Sequence, residues 1–578
     1  MAYTAPIAEL VFTLEEVAGL AEARNEGAAG DLGADDTLAI LTEAGRFAEE
    51  ALAPLNAIGD RTHARRDGRE IITPPGWREA YDQWIEGGWG SLTGDPAYGG
   101  QGLPMALQVA ATDIWNQANA AFALNPLLTI GAVEAIQAHG SDALKARYLP
   151  NLIAGRWTGT MNLTEPNAGS DLGDLKTRAT PQDDGSYRLF GQKIYITYGE
   201  HDLAENIIHL VLARLPDAPA GTRGISLFLV PKFMVGADGA PGERNDVACV
   251  GIEGKLGINA SPTCTMAYGA DGDGAVGYLV GAPNKGLAAM FTMMNNARVQ
   301  VGTQGASIAE RAFQQALAYA GERRQGRATG QEGAASIVHH PDVKRMLLAM
   351  RASTRAARAI CYACAVAIDR GRTDPFYRAR ADLLTPVAKA FATDIGVEVA
   401  SLGVQVHGGM GFIEETGAAQ HYRDARIFPI YEGTNGIQAI DLVRRKLAME
   451  DGAVLAAYLA ELQEIADAAR GHNTLNLAGA AATLDTALAA VATAADTLRE
   501  RLGTDVDATL AGASPFLRAL GLTAGGAYLI KAALRDTEGG GARAQLARFF
   551  ADTGLAAVPG QTHAATEGAA DVVDAVLA

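Results

Sequence analysis

Between residues 157 and 282 the hydrophobic pattern of this chain changes its period, and that change restricts the possible folds more than any other feature. Short apolar runs at 187–190, 194–197, 207–212 and 225–230 are rich in β-branched, aromatic and leucine residues, with Gly, Pro and Asp clusters between them. Such runs predict the strands of a compact antiparallel barrel or sandwich. Before them the spacing is helical. Ile40, Ala44, Phe47 and Ala51 recur on one face, Pro54 is expected to close that run, and a Gly/Pro-rich loop interrupts the pattern near 88–102. After Asn284 helical spacing returns in long elements. Residues 290–324 are expected to form one helix, Pro341 to open the next, and Pro386 to start or interrupt another. Helices, then strands, then helices make an α+β chain with segregated layers.

A chain of 578 residues exceeds what one hydrophobic core accommodates, so several domains are expected. We read an N-terminal helical domain at 1–156, a middle β domain at 157–282, a helical bundle at 283–450 and an additional helical domain at 451–578. The last is alanine-rich, carries fifteen acidic against eight basic residues, and has a turn expected at Gly539-Gly540-Gly541.

With 48% hydrophobic and 20% charged residues the chain is a folded globular protein rather than a disordered one. A formal charge of −18 argues against general nucleic-acid binding, which needs clustered Lys and Arg. It leaves room for a small anionic ligand held by a few local arginines. The first residues show neither a basic region nor an apolar run before a cleavage site, and no 18-residue uninterrupted apolar stretch occurs. A cytoplasmic protein without a membrane span is therefore expected. Four cysteines are too few for a disulfide framework. Cys361 and Cys364 form a CxxC in a helical context and read as small buried side chains, so no metal is expected.

Three segments use glycine, hydroxyl and charge as a plain core would not. Residues 161–171, MNLTEPNAGSD, leave a strand and turn on Pro and Gly, presenting N–H groups and hydroxyls suited to a ligand rich in acceptors. Residues 404–412, VQVHGGMGF, allow close backbone approach but lack the βαβ context of a dinucleotide fingerprint and any Walker lysine. Residues 430–438, IYEGTNGIQ, put a carboxylate beside glycine just before a helix expected to start at Thr434 or Asn435. The neighbouring Glu414-Glu415 read as solvated, and Arg423 and Arg426 as salt-bridge partners.

Together these segments resemble the acyl-CoA dehydrogenase family, over about residues 85–447. LTEPNAGSD at 163–171, GQKIYIT at 191–197, ERRQGR at 322–327, QVHGGMGF at 405–412 and FPIYEGTNGIQ ending at Gln438 stand in the family's order. The opening YTAPIAEL, the stretch GKLGINASPTC and the added C-terminal helices resemble the family's long branch.

The resemblance implies an acyl-CoA dehydrogenase-like fold with FAD between the β domain and the helical bundle. It implies that Leu163, Thr164 and Ser170 line the isoalloxazine and pyrophosphate side, with Tyr195, Ile196 and Thr197 on the flavin's other face. Tyr195 stands where the family often has Trp. Arg323 is implied to reach the pyrophosphate of a neighbouring subunit's FAD, and Gln405, Gly408 and Gly409 its adenosine half, so a homodimer is expected. Gly433, Thr434 and Gln438 are implied to close over the cofactor. Glu432 falls on the catalytic base that removes the α-proton of the thioester. Some branches carry that base immediately before the arginine of the earlier helix, where this chain has Ala297. Arg298 is implied to lie near the base and the pantetheine channel. Asn295 replaces a usually acidic residue, which puts its CoA contact in doubt, and Ser170 is implied to touch CoA as well.

The implied reaction is oxidation of an acyl-CoA, with a short or sulfur-containing acyl group, to 2-enoyl-CoA, with electrons passed to an electron-transfer flavoprotein. Two other uses of the fold remain. One is an acyl-CoA oxidase. The other is a non-catalytic flavoprotein that binds nucleic acid, which the acidic C-terminal segment disfavours. That segment is also too poor in Lys and Arg for strong attraction to anionic lipid.

Overall fold

The computed structural model describes residues 3–472, 475–536 and 541–576. The chain forms two compact units, Met1–Arg46 with Pro104–Gln117 and Arg298–Ala578, and Phe47–Leu103 with Ala118–Ala297.

The second unit is built on an eight-stranded sheet. Its strands run Val247–Ile252, Thr263–Tyr268, Tyr187–Thr197, Ala275–Val280, Ile225–Pro231, Asn206–Arg214 and Trp157–Asn162, while Arg178–Pro181 pairs with both Tyr187–Thr197 and Asn206–Arg214. The fold class is the expected α+β, with two local differences. The runs at 187–190 and 194–197 join into one strand through Gly191. A Cβ there would meet Thr177 Oγ1 at 2.4 Å, so glycine lets the chain ahead of the Arg178–Pro181 strand approach. The pairing is also not wholly antiparallel, because Trp157–Asn162 runs parallel to Asn206–Arg214, from Trp157 opposite Asn206 to Asn162 opposite Val211. Parallel neighbours need a long crossover. That crossover carries the 163–171 loop. One apolar cluster, with Leu149, Trp157, Leu210, Leu229 and Met290, packs beside the sheet, and a second holds Ile196, Val211, Phe228, Cys249 and Cys264.

In the first unit, long helices span Pro341–Arg370 and Pro375–His407, and the Gly286–Glu322 helix enters it at Arg298. Pro341 opens its helix as expected, but two prolines behave differently from the sequence reading. Pro54 does not close its run. A π-turn at Ala48–Leu52 absorbs the irregularity, and Pro54 sits in the first turn of the Ala53–Thr62 helix, where its missing N–H costs nothing. Pro386 lies inside the Pro375–His407 helix without ending it, and Pro375 provides the start, capped by Asp374, which accepts from Phe376 N at 2.9 Å. A fully buried network ties these helices together. Arg358 donates to Asp113 at 2.7 Å and Glu310 at 3.0 Å, and Tyr362 and Ser307 donate to the same Asp113 carboxylate at 2.8 and 2.7 Å.

Five principal helices follow, Ala453–Arg470, Ala478–Arg501, Ala513–Arg535, Ala542–Thr553 and Val558–Thr566. Small residues let them approach the bundle closely. A Cβ on Gly521 would lie 2.4 Å from the Phe391 ring, and one on Gly525 would lie 2.8 Å from Ala356 Cβ. Arg380 clamps Glu461 with two hydrogen bonds of 2.6 and 2.5 Å. Of the expected glycine turn, Gly539 and Gly540 lie outside the described residues, and Gly541 precedes the Ala542–Thr553 helix with φ +86°.

Two helices, Met105–His139 and Ala478–Arg501, are long and apolar enough to cross a membrane by length and composition. The apolar window of the first is 94% buried within the protein and that of the second 44%. The first also breaks at Asn119 (φ −159°), whose side chain accepts from Phe122 N and restarts the helix. Cys361 and Cys364 are buried free thiols donating to the Ala388 and Ala381 carbonyls. Among the described residues no group of three or more His, Cys, Asp or Glu is arranged to hold a metal.

Candidate active site

The turn bearing Glu432 is anchored from both ends. Phe428, fully buried, stacks against Tyr431 with ring centroids 6.0 Å apart, and the Tyr431 hydroxyl donates to Gln304 on the Gly286–Glu322 helix. On the far side Thr434 caps the Asn435–Asp441 helix, accepting from Ile437 N at 3.2 Å, while Asn435 N donates to Pro429 O at 2.9 Å. Between these anchors Glu432 and Gly433 are both left-handed, with φ of +55° and +86°. Glycine takes that geometry freely, but glutamate pays strain of about 1–3 kcal/mol, a cost found where the surroundings over-determine a residue. A Cβ at position 433 would sit 2.7 Å from Gln438 Nε2 and push that amide off the turn. Gln438 Nε2 in turn donates to the carbonyls of Glu432 and Gly433 at 3.3 and 3.4 Å.

Two cations converge here. Arg298 is buried, and its Nη2 lies 3.8 Å from where a Gly433 Cβ would be. Lys389, with no exposed surface, donates to Gly433 O at 2.8 Å and Asn435 Oδ1 at 2.9 Å. Glu432 as a residue is half-buried, yet its carboxyl sits so deep that lost hydration dominates. Burial pushes its carboxyl up to about 7, against the opposing pull of Arg298 and Lys389. Burial likewise takes the Lys389 amine down to about 7, with Glu432 and Asp394 opposing. A carboxylate poised near neutrality is what proton abstraction from a weak carbon acid requires.

Of the residues the sequence reading assigned to the site, Arg298, Glu432, Gly433, Thr434 and Gln438 come together in the first unit. Arg323, Gln405, Gly408 and Gly409 form a separate exposed group there. Tyr319, one turn before Arg323, stacks on His407 at 4.4 Å and so joins the ends of the two helices that carry this group. Gly408 takes φ +61° and ψ −139°, and nothing lies within 4 Å of where either glycine's Cβ would be. Open backbone beside an exposed arginine fits the phosphate and adenosine half of a dinucleotide. Beyond it Met410, Phe412 and Ile413 are exposed, Phe412 by 85%. Arg423 pairs with Glu414 at 2.8 Å, as a structural partner would.

The second unit holds the remaining residues. Leu163 packs half-buried against the core, Thr164 is half-buried, and Ser170 and Asn295 are exposed. Tyr195 has φ +60° and is 61% exposed, offering an aromatic face. Thr197 is half-buried. Ile196 points the other way into the core, so only its backbone faces outward. The loop itself is pinned by a buried pair that the sequence reading did not assign. Lys193 Nζ donates to Leu163 O and Glu165 Oε1, both at 2.9 Å. The Glu165 carboxylate also accepts from Lys176 N, Thr177 N and Thr177 Oγ1 at 2.6, 3.0 and 2.6 Å. Burial alone would raise this carboxyl, but Lys193 and these donors hold it below the usual range. Lys389 was missed too, although a lone lysine inside the apolar run 383–392 is the sort of signal that marks a buried, partnered charge.

Each unit carries features suited to an oxidoreductase with a dinucleotide cofactor: in the first a desolvated carboxylate flanked by cations and a glycine-lined surface beside an arginine, in the second a pinned loop rich in N–H groups. Family models for the N-terminal, middle and C-terminal domains of acyl-CoA dehydrogenase match residues 34–156, 160–268 and 284–447, and one described as acetyl-CoA dehydrogenase C-terminal like matches 458–575. This chain belongs to the acyl-CoA dehydrogenase family and is an FAD-dependent oxidoreductase. It is 48% identical over 546 residues to 3-methylmercaptopropionyl-CoA dehydrogenase of Ruegeria pomeroyi, covering 92% of this chain and 91% of that protein. The structure of Caenorhabditis elegans ACDH-11 in complex with C11-CoA superposes with a TM-score of 0.77 at 21% identity, covering 96% of this chain and 92% of the other. An acyl-CoA dehydrogenase complexed with FAD from Bacillus anthracis gives a TM-score of 0.75 at 21% identity, covering 94% and 91%. Both likenesses establish the long form of the fold, C-terminal helices included.

Proposed function

We propose that this enzyme dehydrogenates a short acyl-CoA thioester across its α and β carbons, with 3-methylmercaptopropionyl-CoA as the first substrate to test and Glu432 as the base. The observation that carries the assignment is the Glu432 carboxylate itself, on a strained turn, desolvated and faced by two cations. Extensive likeness to the R. pomeroyi enzyme supports the substrate.

Glu432 takes the α-proton, and thioester binding over the turn removes its remaining water and strengthens it as a base. Arg298 and Lys389 keep the free carboxylate ionised enough to act. FAD, when bound, accepts the hydride from the β-carbon. Leu163, Thr164, Ser170, Tyr195, Thr197 and the backbone of Ile196 would hold its flavin side. Gly433, Thr434 and Gln438 would close over it. Arg323, Gln405, Gly408 and Gly409 would hold the adenosine half of a neighbouring subunit's cofactor, so the active form is a homodimer. Ser170, Asn295 and Arg298 would meet the CoA thioester. Electrons pass to an electron-transfer flavoprotein, and the enzyme works in the cytoplasm. Domains at 1–156, 157–282, 283–450 and 451–578 divide the labour, which the positions of the family matches support.

The test is Glu432→Gln beside the wild type, against a panel of acyl-CoA esters with a dye acceptor and flavin spectra. The variant should keep its FAD and lose ~10²–10⁴-fold in turnover, the scale of a positioned base. A variant nearly as active as wild type would place the base elsewhere.

A further inference from the structure

We propose that Lys389 is the positioning residue for Glu432, its buried ammonium gripping the Gly433 carbonyl to hold the left-handed turn and supplying one of the two positive charges that face the carboxylate. This rests on reading Glu432 as the base.

The geometry comes first. Glu432 and Gly433 hold a conformation that glutamate avoids, so some interaction must stabilise it. The Gly433 carbonyl receives a charged donor at 2.8 Å from Lys389 and a weaker neutral one at 3.4 Å from Gln438. Charged donors contribute roughly twice what neutral ones do, so the lysine is the main restraint. The ammonium is itself held in place. Asn435 accepts from it at 2.9 Å through Oδ1, and Asn435 Nδ2 donates to Ala390 O, Thr393 Oγ1 and Asp394 Oδ1 at 3.1, 3.0 and 2.7 Å. Asn435 begins the helix that follows the base. One amine therefore joins the Pro375–His407 helix to both sides of the catalytic turn.

The charges around this centre are few. Glu432 faces Arg298 from the Gly286–Glu322 helix, Lys389 from the Pro375–His407 helix, and Tyr431 from its own turn. Lys389 faces Glu432, Asp394 and Arg298. Arg298 is also faced by Asp441 and Arg445, and Asp394 by Glu398 and by Arg518 of the Ala513–Arg535 helix. Arg298 divides its field between Asp441 and Glu432, and Lys389 between Glu432 and Asp394, but Lys389 is also hydrogen-bonded to the turn itself, through the Gly433 carbonyl. Loss of the lysine charge should make Glu432 hold its proton more tightly.

The experiment uses FAD-loaded wild type, Lys389→Gln, Lys389→Met and Asp394→Asn. Two quantities are followed against pH, kcat/KM and the carboxylic-acid infrared band of Glu432, with Glu432→Gln as the blank. Both Lys389 variants should move the band midpoint and the acid limb of kcat/KM upward together by about one pH unit, the scale set by removing one nearby opposite charge. Lys389→Gln keeps a donor for the Gly433 carbonyl and should retain more kcat than Lys389→Met at a pH above both limbs. Asp394→Asn leaves the lysine in place but weakens its hold on its proton, and should shift the midpoint the same way by less. If the Lys389 variants prove too unstable to titrate, Asp394→Asn alone decides, and an unmoved midpoint overturns the proposal. Equal midpoints in all folded variants overturn it as well. A shifted band in an enzyme whose Glu432→Gln form stays active would uphold the lysine's role and refute the base assignment, so the two failures are distinct.

Discussion

At the scale of single residues, the pH dependence of catalysis follows from one side chain's surroundings. Glu432 must be ionised to take a proton, and burial raises its carboxyl to about 7. Below that pH the protonated fraction grows, so kcat/KM, which reports the free enzyme, should fall ~10-fold per unit at pH below about 7 and level off above it. Lys389 titrates near the same pH, so the limb belongs to the pair rather than to either residue. A profile flat down to pH 5 would show that the carboxyl is either solvated or not the base. The sequence identified Glu432 through its motif, but the raised affinity for protons was not legible there. It comes from burial, and its extent from the opposing pull of Arg298 and Lys389, which lie 134 and 43 positions earlier in the chain. Ile196 shows the converse: its motif position implied cofactor contact, and only the structure shows that the bulge at Tyr195 turns its side chain into the core and leaves its backbone for any such contact.

At the scale of elements, the loop at 163–171 owes its shape to a buried ion pair. Lys193 and Glu165 are 0% and 3% exposed, and together they tie the loop that follows the Trp157–Asn162 strand to the Tyr187–Thr197 strand and to the backbone at 176–177. Lys193→Met should destabilise the protein by about 3–5 kcal/mol, because it leaves a carboxylate buried without its counter-charge. Urea unfolding measures that loss, and flavin absorbance per chain should fall with it. A variant of wild-type stability with full FAD would mean that the loop is held by its glycine and proline turns alone. Element boundaries were legible where residues act locally, as at Pro341. They were not at Pro54 and Pro386, where a π-turn and the packing of a long buried helix decide the outcome. The parallel pairing of Trp157–Asn162 with Asn206–Arg214 was equally hidden, because parallel and antiparallel neighbours can share a hydrophobic pattern and differ in how the chain returns.

At the scale of the whole molecule, a homodimer is the expected assembly. Light scattering of the FAD-loaded protein should give twice the 60.1 kDa chain mass. A tetramer would overturn that expectation. Their attachment is specific, since Gly521 and Gly525 pack against Phe391 and Ala356 and Arg380 clamps Glu461. The sequence by itself determined the helix–strand–helix order and the family, and singled out Glu432, because hydrophobic period and short motifs are local properties that need no partner. Only the tertiary structure decided that Lys389 grips the base's turn, that Lys193 and Glu165 pin the loop, and that Pro54 and Pro386 leave their helices running. Burial raises the free energy of a charge and rewards a distant partner, and which groups become buried together is fixed only when the chain has folded.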